Sequence, residues 1–330
     1  MRSIEICAGA GGQALGLEQA GFEHISLIEI DPLACATLRK NRPHWNVIEG
    51  DLKEYSAGQY AGTVDLLAGG VPCPPFSVAG KQLGREDERD LFPEAIRIVR
   101  ECLPNAVMLE NVRGLFDPKF SEYRSSIIEQ FELLGYVCFW DMVNAAHFGL
   151  PQQRPRTILV ALKRDYARFF VWPRGLLAPP PSVGQVLYKE MASNGWVGAN
   201  EWQQNANGLA PALVGGSKKH GGADLGPTRA RAAWVKLGVN GSSLADDPPP
   251  RDFVGAPKLT LKMAALIQGF PADWEFVGKK TPAYRQVGNA FPPPVAKAVG
   301  TSIINALLEK TVEQFGQIEP YCARRVEHWT

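Results

Sequence analysis

Cys73 sits in the run Gly69-Gly70-Val71-Pro72-Cys73-Pro74-Pro75-Phe76-Ser77, directly after the apolar segment Val64 to Ala68. Prolines on both sides fix backbone angles and remove N–H donors, so this cysteine is expected on a stiff loop that can aim a thiolate. A buried cysteine in a proline turn has the same local sequence, and a reactive role therefore needs a partner. Glu110 is the candidate: it ends the apolar segment that starts at Ala106 and precedes Asn111-Val112. Alone it reads equally well as a helix cap. A second constellation opens the chain, where Ser3 to Cys7 runs into Ala8-Gly9-Ala10-Gly11-Gly12. Small residues permit a tight turn and let a ligand approach the backbone at a helix N-terminus. With Ala14 in third place, Gly9 and Gly11 satisfy the dinucleotide fingerprint, and Glu29 stands 20 residues past Gly9. An acid there accepts hydrogen bonds from ribose hydroxyls, and Asp51, after Glu49-Gly50, can meet an adenine amino group. The same residues also make an ordinary strand-to-helix turn with acidic caps.

These groups need a scaffold, and the first half of the chain supplies one. Ser3 to Cys7, His24 to Ile30, Asn46 to Ile48, Val64 to Ala68, Ala106 to Glu110 and Val137 to Val143 read as strands. Gln13 to Ala20, Pro32 to Asn41, Leu91 to Leu103 and Ser121 to Leu134 carry helical spacing between them. Strand and helix in alternation give an α/β fold, a doubly wound, mostly parallel sheet. In the order 3-2-1-4-5, the fourth and fifth strands are neighbours about 4.8 Å apart, so Cys73 and Glu110 should meet at the carboxyl end of the sheet. The run Thr157 to Leu162 is expected to close the sheet as an edge hairpin strand. After about Trp172 the texture changes: Pro179-Pro180-Pro181, Gly215-Gly216, Gly221-Gly222 and Pro248-Pro249-Pro250 interrupt every periodic stretch. Trp196, Trp202, Trp234 and Phe253 supply too much apolar surface for a disordered insert, so a smaller, loop-rich second domain is expected. The pattern Val295, Val299, Ile303, Leu307 then returns the chain to the first domain.

At 330 residues, 45% apolar, the chain can build one large or two smaller domains. No apolar run approaches the roughly 18 residues of a membrane span, and the opening MRSIEICAGAGG leaves no room for a signal peptide, so a cytoplasmic protein without membrane contact is expected. Cys7, Cys35, Cys73, Cys102, Cys138 and Cys322 are widely spaced, with no C-x-x-C pair and no histidine at zinc-ligand spacing, which argues against a metal or a disulfide framework. The net charge of +1 gives no global sign of a nucleic-acid partner. It is an average, however. From Phe170 to Pro282 there are 12 Lys+Arg against 8 Asp+Glu, so the second region is basic and the remainder mildly acidic.

The glycine loop, Pro72-Cys73 with Phe76-Ser77, Glu110-Asn111-Val112, Pro151-Gln152-Gln153-Arg154-Pro155-Arg156 and Arg285-Gln286-Val287-Gly288-Asn289-Ala290 together resemble the ordered motifs of the DNA (cytosine-5) methyltransferases of bacterial restriction-modification type. The resemblance runs from Ile4 to about Leu308, apart from a variable stretch between about Trp172 and Pro257. It implies a class I S-adenosylmethionine-dependent methyltransferase, Rossmann-like, with a catalytic and cofactor-binding domain over 1–172, a target recognition domain over 173–280 and a returning segment over 281–330. Cys73 matches the nucleophile that adds to carbon 6 of cytosine and turns carbon 5 into an enamine able to attack a sulfonium methyl group. Glu110 matches the acid at ring nitrogen 3, Arg156 the arginine at the cytosine carbonyl, and Arg154 is its motif partner in the catalytic set. Cys7, Ala8, Gly9, Ala10, Gly12, Gly70, Asn289 and Ala290 match cofactor-loop and closing-motif contacts. Glu29 and Asp51 become ribose and adenine contacts, with Ile30, Leu52, Pro72 and Leu91 packing around S-adenosylmethionine, whose product is S-adenosylhomocysteine. Cys7 departs from the family, which usually has phenylalanine there.

Carbon 5 of a stacked cytosine is out of reach, so the family implies double-stranded DNA with the target base flipped. Lys218, Lys219, Arg229 and Arg231 are the candidate DNA contacts in the basic region, and Gln82 lies in the polar loop Gly80 to Arg89 that is expected to close over the flipped base. A cognate endonuclease acting on the same site and a monomeric state are further expectations. Three rivals share parts of the pattern. An RNA cytosine-5 methyltransferase of the transfer-RNA type has the same catalytic motifs. A nicotinamide dehydrogenase shares the glycine loop but leaves Cys73 and Glu110 unexplained. A non-catalytic DNA-binding protein has no chemical need for Cys73, Glu110 and Arg156 together.

Overall fold

The apolar segments of the first half form strands that are covered on both faces, which is why they read as continuous rather than alternating hydrophobic runs. In the computed structural model, which describes residues 1–72, 90–216 and 222–308, β1 (Arg2–Ile6), α1 (Gly12–Ala20), β2 (Glu23–Glu29), α2 (Pro32–Asn41), β3 (Val47–Glu49) and β4 (Leu66–Gly69) come first. They are followed by α3 (Phe92–Cys102), β5 (Ala106–Val112), α4 (Ser121–Leu133), β6 (Tyr136–Asn144), the two-residue β7 (Gln152–Gln153), β8 (Pro155–Lys163) and the short α5 (Arg164–Ala167). The seven-stranded sheet has the order β3-β2-β1-β4-β5-β8-β6, parallel from β3 to β5 and antiparallel beyond. This is the doubly wound order expected from the sequence, with the switch point between β1 and β4.

One expectation fails. The run Thr157 to Leu162 is not the edge strand: β8 lies between β5 and β6, and β6 takes the edge. The burial of the two strands gives the reason. Every residue from Thr157 to Leu162 is buried, as an interior strand requires, whereas β6 leaves Val137 and Met142 exposed.

The region after Trp172 is more helical than its punctuation implies. It contains α6 (Val183–Met191), α7 (Ala199–Asn205), the two-residue β9 (Ala210–Pro211), α8 (Thr228–Lys236) and α9 (Leu261–Gln268), and then α10 (Lys280–Asn289) leads back toward the sheet. Caps hidden among the turn residues start two of these helices. The Ser182 hydroxyl accepts from the Gln185 N–H while the Gln185 side chain accepts from the Ser182 N–H, and Thr260 Oγ1 accepts from the Met263 N–H. Trp196, Trp202 and Trp234 are buried in a single cluster, which also contains Leu15 of α1, Leu38 of α2 and Trp45. The change in texture therefore marks a change of architecture, while the core runs through it. The last helix, α11 (Pro293–Leu307), docks on α1 so closely that a Cβ on Gly12 or Gly16 would lie 2.2 or 2.3 Å from the carbonyl oxygen of Phe291 or Pro293. Val295, Val299 and Ile303 complete that contact, sharing one buried cluster with Leu17.

Candidate active site

The carboxyl ends of β1, β2, β3 and β4 open into a cavity of about 460 Å³. Its walls hold Cys7, Ala8, Gly9, Ala10 and Gly12 from the loop between β1 and α1, Glu29 and Ile30 after β2, and Asp51 and Leu52 after β3. Gly70 and Pro72 follow from the exit of β4, Leu91 from the start of α3, and Asn289 and Ala290 from the end of α10. All the residues matched to the cofactor thus meet around one space. Gly11 makes the loop possible: it caps α1 with φ 87°, a left-handed conformation that favours glycine. Glu29 is held by the same turn. Its Oε2 accepts from the Gly9 N–H at 2.7 Å and its Oε1 from the Asp31 N–H at 2.8 Å. Burial pushes its carboxyl up from the usual carboxylate range, and these hydrogen bonds oppose that shift.

Glu110 faces the same cavity from β5. Gly69 of β4 is in register with Leu109, so Gly70 passes over Glu110, and a Cβ there would meet Glu110 Oε2 at 3.3 Å. Asn111 Nδ2 donates to the Val71 carbonyl at 2.9 Å and fixes the chain two residues before Cys73. The Leu91 N–H donates to the Pro72 carbonyl at 3.2 Å, which ties together the described residues on either side of the segment 73–89. Cys73 and Gln82 lie in that segment, outside the described residues, as do Lys218 and Lys219.

Arg156, opposite Val112 in the pairing of β8 with β5, sends its Nε to Glu110 Oε1 at 2.9 Å, with both side chains largely buried. Burial raises the Glu110 carboxyl above its usual range, opposed by the charges of Arg156 and Arg154. A proton is therefore held at this carboxyl to higher pH than at an exposed glutamate.

Arg154, expected in the catalytic set, is placed otherwise. It is 1% exposed, and its guanidinium donates to the carbonyls of Leu213 at 2.7 Å, Gly288 at 2.9 Å and Ala290 at 2.9 Å. These bonds leave it no path to a substrate, and it positions backbone instead. The reason lies two residues upstream, where β7 pairs with β9 in a separate two-stranded sheet and ties the chain before β8 to Ala210–Pro211 of the second region. Gln152 shares the work: its Oε1 accepts from the Leu213 N–H at 2.8 Å and its Nε2 donates to Gln268 Oε1 at 2.8 Å. Next to this clamp two glycines touch, since a Cβ on Gly288 would lie 2.3 Å from the Gly215 nitrogen.

Several residues of the site were not singled out by sequence. Glu5 lines the cavity with both carboxylate oxygens buried, and burial holds its carboxyl well above the usual range against the opposing backbone hydrogen bond from Ala14. A glutamate inside the apolar strand Ser-Ile-Glu-Ile was the available signal. Gln152, Asn111 and Arg285 stood inside quoted motifs without a role, and nothing in their spacing separates a clamp from a contact. Of the candidate DNA residues that are described, Arg229 is exposed and Arg231 half-buried with its Cγ 3.3 Å from where a Gly241 Cβ would stand. Two positions apart on α8, they point roughly 200° away from each other and cannot face one surface. Among the described residues no cluster of His, Cys, Asp and Glu is gathered as a metal needs, and no helix is long and apolar enough to cross a membrane.

Comparison with known proteins agrees with this geometry. Residues 1–305 match the family described as C-5 cytosine-specific DNA methylase. The Type II methyltransferase M.NgoMIV of Neisseria gonorrhoeae is 56% identical over 308 residues, covering 92% of this chain and 97% of that one. The Type II methyltransferase M.NaeI of Lentzea aerocolonigenes is 54% identical over 310 residues, covering 92% of this chain and 75% of that one. Among solved structures, DNMT2 of Spodoptera frugiperda superposes with a TM-score of 0.63 at 15% identity, over 92% of this chain and 99% of that one, a likeness of fold. The chain belongs to the C-5 cytosine-specific DNA methylases and is a DNA (cytosine-5) methyltransferase.

Proposed function

We propose that this chain methylates carbon 5 of one cytosine within a specific duplex DNA sequence, with the base flipped into the site and held as a covalent adduct of Cys73. The observation that carries the reading is the Glu110–Arg156 pair at 2.9 Å, which opens on the cavity that also gathers the cofactor residues. Cytosine carbon 5 is a poor nucleophile, and addition of a thiolate to carbon 6 activates it. Glu110 is suited to donate a proton or hydrogen bond to ring nitrogen 3, because burial favours its protonated form. Arg156, hydrogen-bonded beside it, orients both the carboxyl group and the base carbonyl. Arg154 and Gln152 fix the second region and the end of α10 against this pair.

The cavity fits S-adenosylmethionine on its donor set. Glu29, tied down by two backbone N–H groups, presents a fixed acceptor for ribose hydroxyls. Asp51 stands for the adenine amino group, and Ile30, 64% exposed on the rim, offers an apolar face to the ring. When bound, this cofactor supplies a methyl group on a sulfonium.

Residues 173–280 are assigned to target recognition, with Lys218, Lys219 and the exposed Arg229 at the phosphates or bases, and the chain is read as a cytoplasmic monomer working beside an endonuclease of the same specificity. The test is expression in a host lacking cytosine methylation, followed by bisulfite sequencing of genomic DNA. Protected cytosines in one sequence context, absent with Cys73→Ser, are the expected result. A soluble wild-type protein that binds cofactor yet leaves every cytosine unmodified overturns the reading.

A further inference from the structure

We propose that Arg285 is the receptor for the carboxylate of the cofactor's amino-acid end, an inference that rests on the reading of the cavity as a site for S-adenosylmethionine. The described residues lining the cavity include five acids, Glu5, Glu29, Asp31, Asp51 and Glu110, and a single cation, Arg285. The cofactor has two positive centres, its sulfonium and its ammonium, and hydroxyl and amino groups that donate hydrogen bonds. It has one anion, the carboxylate. Complementarity of charge gives that anion one side chain to meet.

The arginine is placed and unengaged. Its carbonyl oxygen would be 2.4 Å from a Cβ on Gly215, so its backbone is fixed against the second region. Four residues before Asn289 on α10, it shares a helix face with a residue of the cavity wall. Its Nε is buried without a hydrogen-bond partner, and its guanidinium has no ion pair among the described residues. A desolvated donor of a charged group is costly until an acceptor arrives. The neighbouring polar side chains are occupied. Gln286 accepts from Thr37 Oγ1 at 2.6 Å and donates to the Val277 carbonyl at 2.8 Å, while Asn289 Nδ2 donates to the Gly216 carbonyl at 3.3 Å. A planar guanidinium with directed donors suits a carboxylate, and it leaves the adenosine end to the carboxyl groups on the other walls.

Calorimetric titration of the full chain with S-adenosylhomocysteine and with 5′-methylthioadenosine, which keeps the adenosine thioether and lacks the amino acid, separates the two ends. Arg285→Met is expected to weaken S-adenosylhomocysteine by about 10- to 100-fold, the range for a hydrogen bond to a charged group, and to leave methylthioadenosine within about twofold. Arg285→Lys should recover part of the loss. Retained methylthioadenosine binding also reports that the variant is folded. Equal loss of both ligands, or no loss of either, overturns the inference, as does a loss of DNA affinity with both cofactor analogues unchanged. If the wild-type chain binds neither adenosine ligand, the cofactor reading itself fails and the role of Arg285 falls with it.

Discussion

The cofactor side of the sheet and the region from Val183 to Gln268 are built on different rules. On the cofactor side, β1, β2 and β3 are parallel neighbours, so a residue one step past each strand falls into the same cavity whatever the helices between do. In the second region, short helices take their orientation from a core they share with α1 and α2, and a residue's direction depends on that packing. Arg229 and Arg231 show the consequence: adjacent in the basic run, they diverge on α8. The two regions are joined by the motif around β7 and β8. Within it Arg156 reaches the Glu110 carboxyl group, and Arg154, two residues earlier, donates to the carbonyls of Leu213, Gly288 and Ala290.

The largest effect expected lies on the strand-end side. Glu110→Gln keeps the shape of the side chain and the Arg156 contact but cannot transfer a proton, and turnover should fall by about 100- to 10,000-fold. Radiolabelled methyl transfer measures it, with DNA and S-adenosylhomocysteine affinities as controls. Burial raises the Glu110 carboxyl, with Arg156 opposing, so its protonated form survives above the usual carboxylate range and is lost as pH rises through the raised value. Wild-type turnover should therefore decline across that limb, and the residual activity of the variant should not. A variant with near wild-type turnover removes Glu110 from the chemistry.

Arg154→Met and Arg156→Lys test the joint. Removing Arg154 leaves the buried carbonyls of Leu213, Gly288 and Ala290 without their shared donor, and urea unfolding should show a loss of about 3 kcal/mol. Arg156→Lys should change stability by less than about 1 kcal/mol while cutting turnover at least about tenfold, because a lysine cannot reproduce the directed contact to Glu110. If the two variants show the reverse pattern, the division between a clamp and a catalytic pair is wrong.

This contrast also explains what could be read in advance. The strand order, the cavity residues and the nearness of β4 to Glu110 follow from alternation of strand and helix, because the sheet fixes distances that the sequence only counts. An edge position for Thr157 to Leu162 fails because an apolar run fits an interior strand as well as an edge, and the choice depends on β6 pairing along its whole length. Arg154 is hard to read from sequence for another reason: it lies just outside β8, and the carbonyls it meets, those of Leu213, Gly288 and Ala290, come from distant segments. Glu5 could have been found, since a charge inside a buried strand needs an explanation.

That charge gives a smaller, pH-dependent effect. Glu5 binds its proton more tightly in the fold than in the unfolded chain, because burial penalises the carboxylate by more than the backbone hydrogen bond from Ala14 offsets. The folded state then holds more protons, and above the unfolded value near 4.5 its stability falls with rising pH, by at most about 1.4 kcal/mol per unit, until the raised folded value is passed. Glu5→Gln should flatten that slope and make the cofactor-free protein more stable at neutral pH, while weakening S-adenosylhomocysteine. Thermal unfolding across pH checks it, and parallel curves for variant and wild type mean that the cavity already satisfies the carboxyl group.

The smallest expected effect tests whether one position on the cofactor side departs from the rule of strand ends. Cys7 takes φ 51°, inside the left-handed region, at the turn where β1 enters the glycine loop, and it lines the cavity. Burial, followed by the charges of Glu29, Asp51 and Glu5, pushes its thiol above the usual range, so it acts as a small neutral side chain. Cys7 already holds this conformation with a side chain, and Cys7→Phe places a ring at the cavity wall. A ring against the cofactor should contribute about 0.5–1.5 kcal/mol, tightening S-adenosylhomocysteine by roughly 2- to 10-fold in a calorimetric titration. Unchanged or weaker binding means that Ile30 and its neighbours already fill the space beside the cofactor, and that the cysteine is part of the fit.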